Sequence, residues 1–146
     1  MEGFELSIMI KRPIEEVFGT LTDLENDIKW RSEWIETRNT SGGALGVGAT
    51  FCMTEKLLGR QVSTTYEEIV YEPNQVAAWK TVSSPFAMTF KRTFESVDGG
   101  TRVTIRYDTQ ARGFIKLMLF LMAGSVKRQH AGDLRKVKEL LETGAL

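Results

Sequence analysis

Cysteine and histidine are almost missing from this chain, which has one of each in 146 residues, Cys52 and His130. A lone thiol cannot close an internal disulfide, and one cysteine and one histidine cannot by themselves form a zinc site. No structural metal is expected, and Cys52, which alternates away from Phe51 and Met53, reads as an inert thiol. Net charge is missing as well. Nineteen basic and nineteen acidic residues cancel, and no stretch concentrates Lys and Arg among aromatics as a nucleic-acid surface would, so no nucleic-acid partner is expected. No apolar run approaches the roughly 20 residues that cross a bilayer. The longest, GFIKLMLFLMAGS at 113–125, carries Lys116 inside it. The start, MEGFELSIMIKRP, has no basic n-region, long apolar h-region or small-residue cleavage site, so a cytoplasmic protein is expected. With three prolines, no internal repeat and no Pro/Ser-rich linker, residues 1–146 are expected to form a single domain.

What is present is a globular balance, 42% hydrophobic and 26% charged. Residues 3–11 alternate, with Phe4, Leu6, Ile8 and Ile10 apolar, which is the period of a half-buried strand. Pro13 then opens PIEEVFGTLTD, where Ile14, Val17, Phe18 and Leu21 fall at helical spacing behind Glu15 and Glu16. A second helical piece runs from about Leu24 to Trp30. SGGALGVG is a glycine-rich turn that precedes a strand and not a helix, so it is no phosphate cradle. Residues 49–57, 60–71, 75–84, 86–97 and 101–110 are rich in Thr, Val, Tyr, Phe and Trp and are punctuated by LG, EPN, SP and DGG, the pattern of an antiparallel meander. From Gly113 to about Glu142 the period is helical, with Gly144 just beyond it. An antiparallel sheet buries one face, and the C-terminal helix is the only long element available to cover it, so the fold class is α+β.

Four stretches carry a family resemblance. IKRPIEEVFGTLTDLENDIKW (10–30) resembles the opening of START-like (SRPBCC) proteins of the polyketide cyclase/dehydrase branch. YEPNQVAAWK (71–80) is similar to that family's turn between middle strands, DGGTRVTIRYD (98–108) to its last hairpin, and DLRKVKELLE (133–142) to the end of its terminal helix. The resemblance implies a helix-grip fold: a curved antiparallel sheet wrapped around a long C-terminal helix, with two short helices after the first strand. It further implies an apolar cavity between sheet and helix that binds a hydrophobic small molecule, a lipid or polyketide-like compound. A polyketide cyclase/aromatase-like enzyme is the alternative. No shared catalytic motif carries over, and no cofactor is implied.

Candidate site residues follow from strand parity and helix geometry. At 100° per residue, Val126, His130, Leu134, Val137 and Leu141 share one arc of the last helix, while Phe114, Leu117, Phe120 and Leu121 face outside it. Those four need a cover: the sheet, the early helices, a membrane surface, a ligand, or a second subunit in a homodimer. Gly124, costly in a helix interior, marks either a kink or a close packing contact. On the strands, Phe86, Met88, Phe90 and Phe94 share a face with Arg92, whose charge must meet a carboxylate, solvent or a ligand. Glu55, on the Phe51/Met53 face, is its natural internal partner. His130 has Asp133 and Gln129 close in sequence to satisfy its ring. Trp30, Trp34 and Trp79 suit a pocket rim or wall, the face of Trp79 depending on a bulge. The expected ligand-binding set is therefore Phe51, Met53, Tyr66, Trp79, Met88, Phe90, Arg92, Tyr107, Met122, Val126 and His130. In an enzyme, Arg92, Tyr107 and His130 would stabilise an enolate and move protons.

Overall fold

Alternating apolar residues lay down the first strand, β1 (Glu2–Ile10). The structure, a computed structural model, describes residues 2–57, 59–83, 87–110 and 113–146, and for residues 2, 57, 83 and 115 the backbone only. Pro13 is extended and sits just before α1 (Ile14–Leu21), which buries Val17, Phe18 and Leu21. Asp23 then accepts the Glu25 N–H at 3.2 Å and starts a 3-10 turn, Leu24–Lys29. Six further strands follow: β2 (Trp34–Asn39), β3 (Thr50–Leu57), β4 (Arg60–Glu72), β5 (Val76–Ser83), β6 (Ala87–Val97) and β7 (Gly100–Gln110). One long helix, α2 (Gly113–Glu142), closes the described chain.

The strands form one antiparallel sheet in the order β1-β7-β6-β5-β4-β3-β2. The expected five-strand meander is present, and β2 adds to its edge. WIETRN escaped the sequence reading because it is short and its register breaks at a bulge between Trp34 and Glu36, so it never alternates cleanly. Two more bulges interrupt the β4–β5 pairing, at Thr65/Tyr66 and Glu68/Val70. Such bulges bend a strand and raise its twist, which curls the sheet toward α2. They also settle Trp79, which pairs with Phe90 and is fully buried. Between β2 and β3, four glycines have φ between +92° and +125°, a backbone region closed to most side chains, so SGGALGVG is a loop by necessity. Glu68 anchors it by accepting the Gly46 N–H at 3.0 Å.

The core lies between the sheet and one half of α2. Leu134, Val137 and Leu141 are buried with Ile10, Val17, Leu21, Leu24, Val103 and Ile105. Phe18 meets Phe94 and Tyr71 edge-on at 5.1 and 5.4 Å. Lys138 donates to the Met9 carbonyl and pairs with Glu142, which itself accepts the Lys11 N–H at 2.7 Å. The C-terminal half of α2 is thus tied to the end of β1.

Arg92 is wholly buried, as its place among phenylalanines requires, but its partner is Asp27 and not Glu55. Nη1 donates to Asp27 Oδ1 at 3.1 Å and to the Leu21 carbonyl at 2.8 Å, and Nη2 donates to Asp27 Oδ2 at 2.5 Å. The guanidinium carbon lies 5.1 Å from the Trp30 ring centroid and 5.5 Å from that of Trp79. Strand parity assigns a face, whereas the carboxylate is supplied by whichever element covers that face, here the 3-10 turn.

Removing one member of a buried pair leaves the other charge unpaired, which costs about 3–5 kcal/mol. Arg92→Met should therefore destabilise the protein by about that much in urea unfolding. Adding Asp27→Leu should recover most of the loss, while Glu55→Gln should add independently. A recovery through Glu55 in place of Asp27 would contradict this pairing.

Candidate functional site

Where the C-terminal half of α2 is gripped, the N-terminal half stands off the sheet and leaves a cavity of about 380 Å³. Its inner wall is aromatic. Tyr66, Phe90 and Tyr107 are buried side chains from β4, β6 and β7. Trp79 stacks behind Phe90 at 4.9 Å, Tyr66 meets Phe90 edge-on at 5.2 Å, and Phe90 faces Tyr107 at 6.0 Å. Tyr107 in turn packs against Phe4 at 5.1 Å and His130 at 4.5 Å. Lys116, Phe120, Ala123 and Lys127 of α2, all exposed, border the mouth together with Gly3 of β1.

Of the expected set, Tyr66, Met88, Phe90, Tyr107, Val126 and His130 line this cavity. Phe51 and Met53 are fully buried core residues away from the wall, and Trp79 supports Phe90 from behind. Arg92 is shut into its pair with Asp27 and does not reach the lining. Met122 is half-buried on α2 outside the wall, and Phe86 lies outside the described residues. Parity identified the inward face correctly, but only the part of that face opposite the raised half of α2 borders space.

Three wall residues lie outside the expected set: Phe4, whose inward face the alternation of β1 does show, and Arg31 and Trp34, which come from the junction between the 3-10 turn and β2, where no period applies. The cluster Trp30-Arg31 with Trp34 is the one local clue, since a cation among tryptophans favours stacking. Arg31 does stack: its guanidinium carbon is 4.5 Å from the Trp34 centroid and 5.7 Å from that of Tyr107. It is 7% exposed, with Nε 3.6 Å from Asp133 Oδ2 and Nη1 4.0 Å from Asp27 Oδ2, ion-pair contacts too long for hydrogen bonds. Glu55, paired across the strands with Trp34, borders the same end of the cavity. Burial raises its carboxyl pKa, although the Arg31 charge pulls the other way.

His130 is not satisfied as expected. Asp133 accepts the Ser32 N–H at 3.3 Å and faces Arg31, and Gln129 donates to Ser32 Oγ at 3.1 Å. Both are drawn to the junction that holds Arg31. The His130 ring makes no hydrogen bond to another described residue, and burial, then the charges of Arg31 and Arg92, push its pKa down to about 3. Tyr66 is pushed upward, chiefly by burial. Both rings are therefore neutral near pH 7.

The outward residues of α2 are not core. Phe114, Leu117, Phe120 and Leu121 are 73%, 54%, 73% and 71% exposed. The helix runs on through Gly124, where a Cβ would meet only Arg128 Nη1 at 3.8 Å, so neither a break nor a close approach fixes glycine there. Among the described residues no group of three or more His, Cys, Asp or Glu could hold a metal ion, and no helix is long and apolar enough to cross a membrane.

The family described as polyketide cyclase/dehydrase and lipid transport matches residues 1–142. A protein of Thermus thermophilus superposes with a TM-score of 0.78 at 16% identity, covering 99% of this chain and 100% of that one. The Zhui aromatase/cyclase of a Streptomyces species gives 0.76 at 15% identity, with 99% and 96% covered. The di-domain aromatase/cyclase StfQ of the steffimycin biosynthetic pathway gives 0.79 at 13% identity, with 98% of this chain and 52% of that one covered. No curated protein matches the sequence. At these identities the likeness establishes the fold, a helix-grip arrangement of curled sheet and long helix.

With the folded imidazole near 3 and an ordinary one near 6.5, the neutral ring supports folding above 6.5, and that support is lost as pH falls toward about 3. The His130 ring resonances should stay unshifted in NMR between pH 8 and about pH 4.5. A midpoint near 6.5 would show a solvated ring instead.

Proposed function

Because the chain belongs to the polyketide cyclase/dehydrase and lipid transport family, we propose that it is a binding protein that holds one hydrophobic small molecule, lipid or polyketide-like, between its sheet and α2. The observation that carries this reading is the cavity of about 380 Å³ with an aromatic inner wall, within the roughly 300–1,000 Å³ typical of small-molecule sites. Tyr66, Met88, Phe90, Tyr107, Val126 and His130 are its contacts. Trp79 supports the wall from behind without touching the ligand, Phe51 and Met53 belong to the core around it, and Arg92 holds the structure in place.

The chemistry of the wall favours holding over turnover. A general base needs a pKa near the working pH and a partner that orients it. His130 has a pKa of about 3 and packs between Phe4 and Tyr107. It supplies an aromatic surface and not a proton relay. A cyclase-like activity would have to bring its own acid and base in the substrate or recruit Glu55.

A fluorescent apolar probe should bind the purified protein. Val126→Trp, which places an indole in the cavity, should weaken the probe about tenfold or more, and Phe90→Ala should change its affinity, while Val47→Ser in the exposed loop should leave it unchanged. Unaltered affinity in folded Val126→Trp and Phe90→Ala would place the probe elsewhere.

A further inference from the structure

We propose that Arg31 is the specificity residue of the cavity and that the ligand carries a carbonyl or carboxylate oxygen, which this guanidinium receives at the inner end. The proposal rests on the binding reading above. The Arg31 side chain is more than nine-tenths buried, borders the cavity, and makes no hydrogen bond to a described residue. The two nearest carboxylates balance its charge at 3.6 and 4.0 Å but accept no hydrogen bond from it. Asp27 is held at both oxygens by Arg92, and Asp133 accepts from Ser32. Nε and Nη1 are shut away from solvent, which leaves Nη2 as the donor with access to the cavity. Stacking on Trp34 fixes the guanidinium plane without using its N–H groups. A buried cation with unused donors is costly unless something accepts from it.

Glu55 shares this end of the cavity, where burial raises its carboxyl pKa and the Arg31 charge lowers it. Between this end and the mouth, where Lys116 and Lys127 lie, the wall is mainly apolar or aromatic, so a chain or ring system with a polar group at its inner end fits it.

The test compares a medium-chain fatty acid, its methyl ketone and the matching alkane by calorimetry, on wild type and Arg31→Met. Charge-assisted hydrogen bonds contribute about 1.5–3 kcal/mol, so acid and ketone should each weaken by about 10- to 100-fold, with the alkane changed less than about twofold. Equal loss for all three would make Arg31 merely structural and overturn the proposal while leaving the cavity reading intact. No binding of any of the three to wild type would sink the cavity reading itself. If Arg31→Met does not fold, the Arg31 side-chain 15N resonances of wild type carry the test: they should move with acid and ketone and not with alkane. No movement at saturation would overturn it.

A separate observation concerns the exposed face of α2, and we infer that it docks on an anionic lipid surface. Phe114, Leu117, Phe120 and Leu121 form an exposed apolar strip outside the inward arc, with Phe120 at its edge toward the cavity. Exposed Lys116, Lys127 and Arg128 accompany it, and α2 has no acidic residue before Asp133. An apolar strip flanked on its own helix only by basic residues matches an anionic interface. Two copies of this strip face to face would bring like charges together. Because Phe120, Lys116 and Lys127 also border the cavity mouth, a docked protein would open toward the lipid. Co-sedimentation should show binding to vesicles of phosphatidylcholine with phosphatidylglycerol, at least about tenfold weaker binding to phosphatidylcholine alone, and loss in Leu117→Glu/Leu121→Glu. Indifference to lipid charge, or a dimer in sedimentation that Leu117→Glu/Leu121→Glu dissociates, would overturn the inference.

Discussion

The contact between Arg92 and Asp27 is the constraint on which the rest of the site depends. It joins the middle of the sheet to the 3-10 turn, with two bonds to the carboxylate and a third from the guanidinium to the Leu21 carbonyl at the end of α1. Trp30 and Trp79 close over it and exclude water. A buried pair of this kind adds little net stability against an apolar replacement, but it is expensive to break, which suits it to fixing one arrangement. Here it fixes where the chain leaves the 3-10 turn, and so where Arg31 and Trp34 meet the cavity. The inner end of the site is thus set by a charge pair that never touches the space itself.

The cavity is a consequence of how unevenly α2 is used. Its second half presents Leu134, Val137 and Leu141 to the core and is tied to β1 through Lys138 and Glu142. Its first half has no equivalent attachment: it covers the aromatic wall with Leu119, Val126 and His130 and turns four large apolar side chains outward. Burial of apolar surface is the main favourable term in folding, at roughly 25 cal/mol per Å². Leaving Phe114, Leu117, Phe120 and Leu121 in water forgoes that gain. A binding surface is where such a sacrifice has a use.

Most of the fold was legible because its elements follow simple periods. The alternation in β1, the turn signals between the strands and the helical spacing to Glu142 each reflect one physical repeat. What was not legible depends on neighbours. β2 is too short and too bulged to show a period, and Arg31 lies between elements, where no period applies. Arg92 was correctly read as inward-facing, yet its partner came from a segment whose position no local pattern encodes. The same holds for His130, whose sequence neighbours Asp133 and Gln129 turn to Ser32. Six of the eleven candidate residues border the cavity, and Phe51, Met53 and Trp79 do not because an inward face is longer than the space it borders.

Together these features describe an aromatic pocket with Arg31 at its inner end and lysines at its mouth, roofed by a helix that is held at one end. The central claim is that the pocket holds a hydrophobic molecule in the native protein. Native mass spectrometry of the protein, purified without detergent, tests that most directly. A mass exceeding that of the chain by one small apolar molecule, released on denaturation and missing from Val126→Trp, is the predicted result. The bare mass of the chain, with no uptake of any apolar compound added in solution, would contradict it.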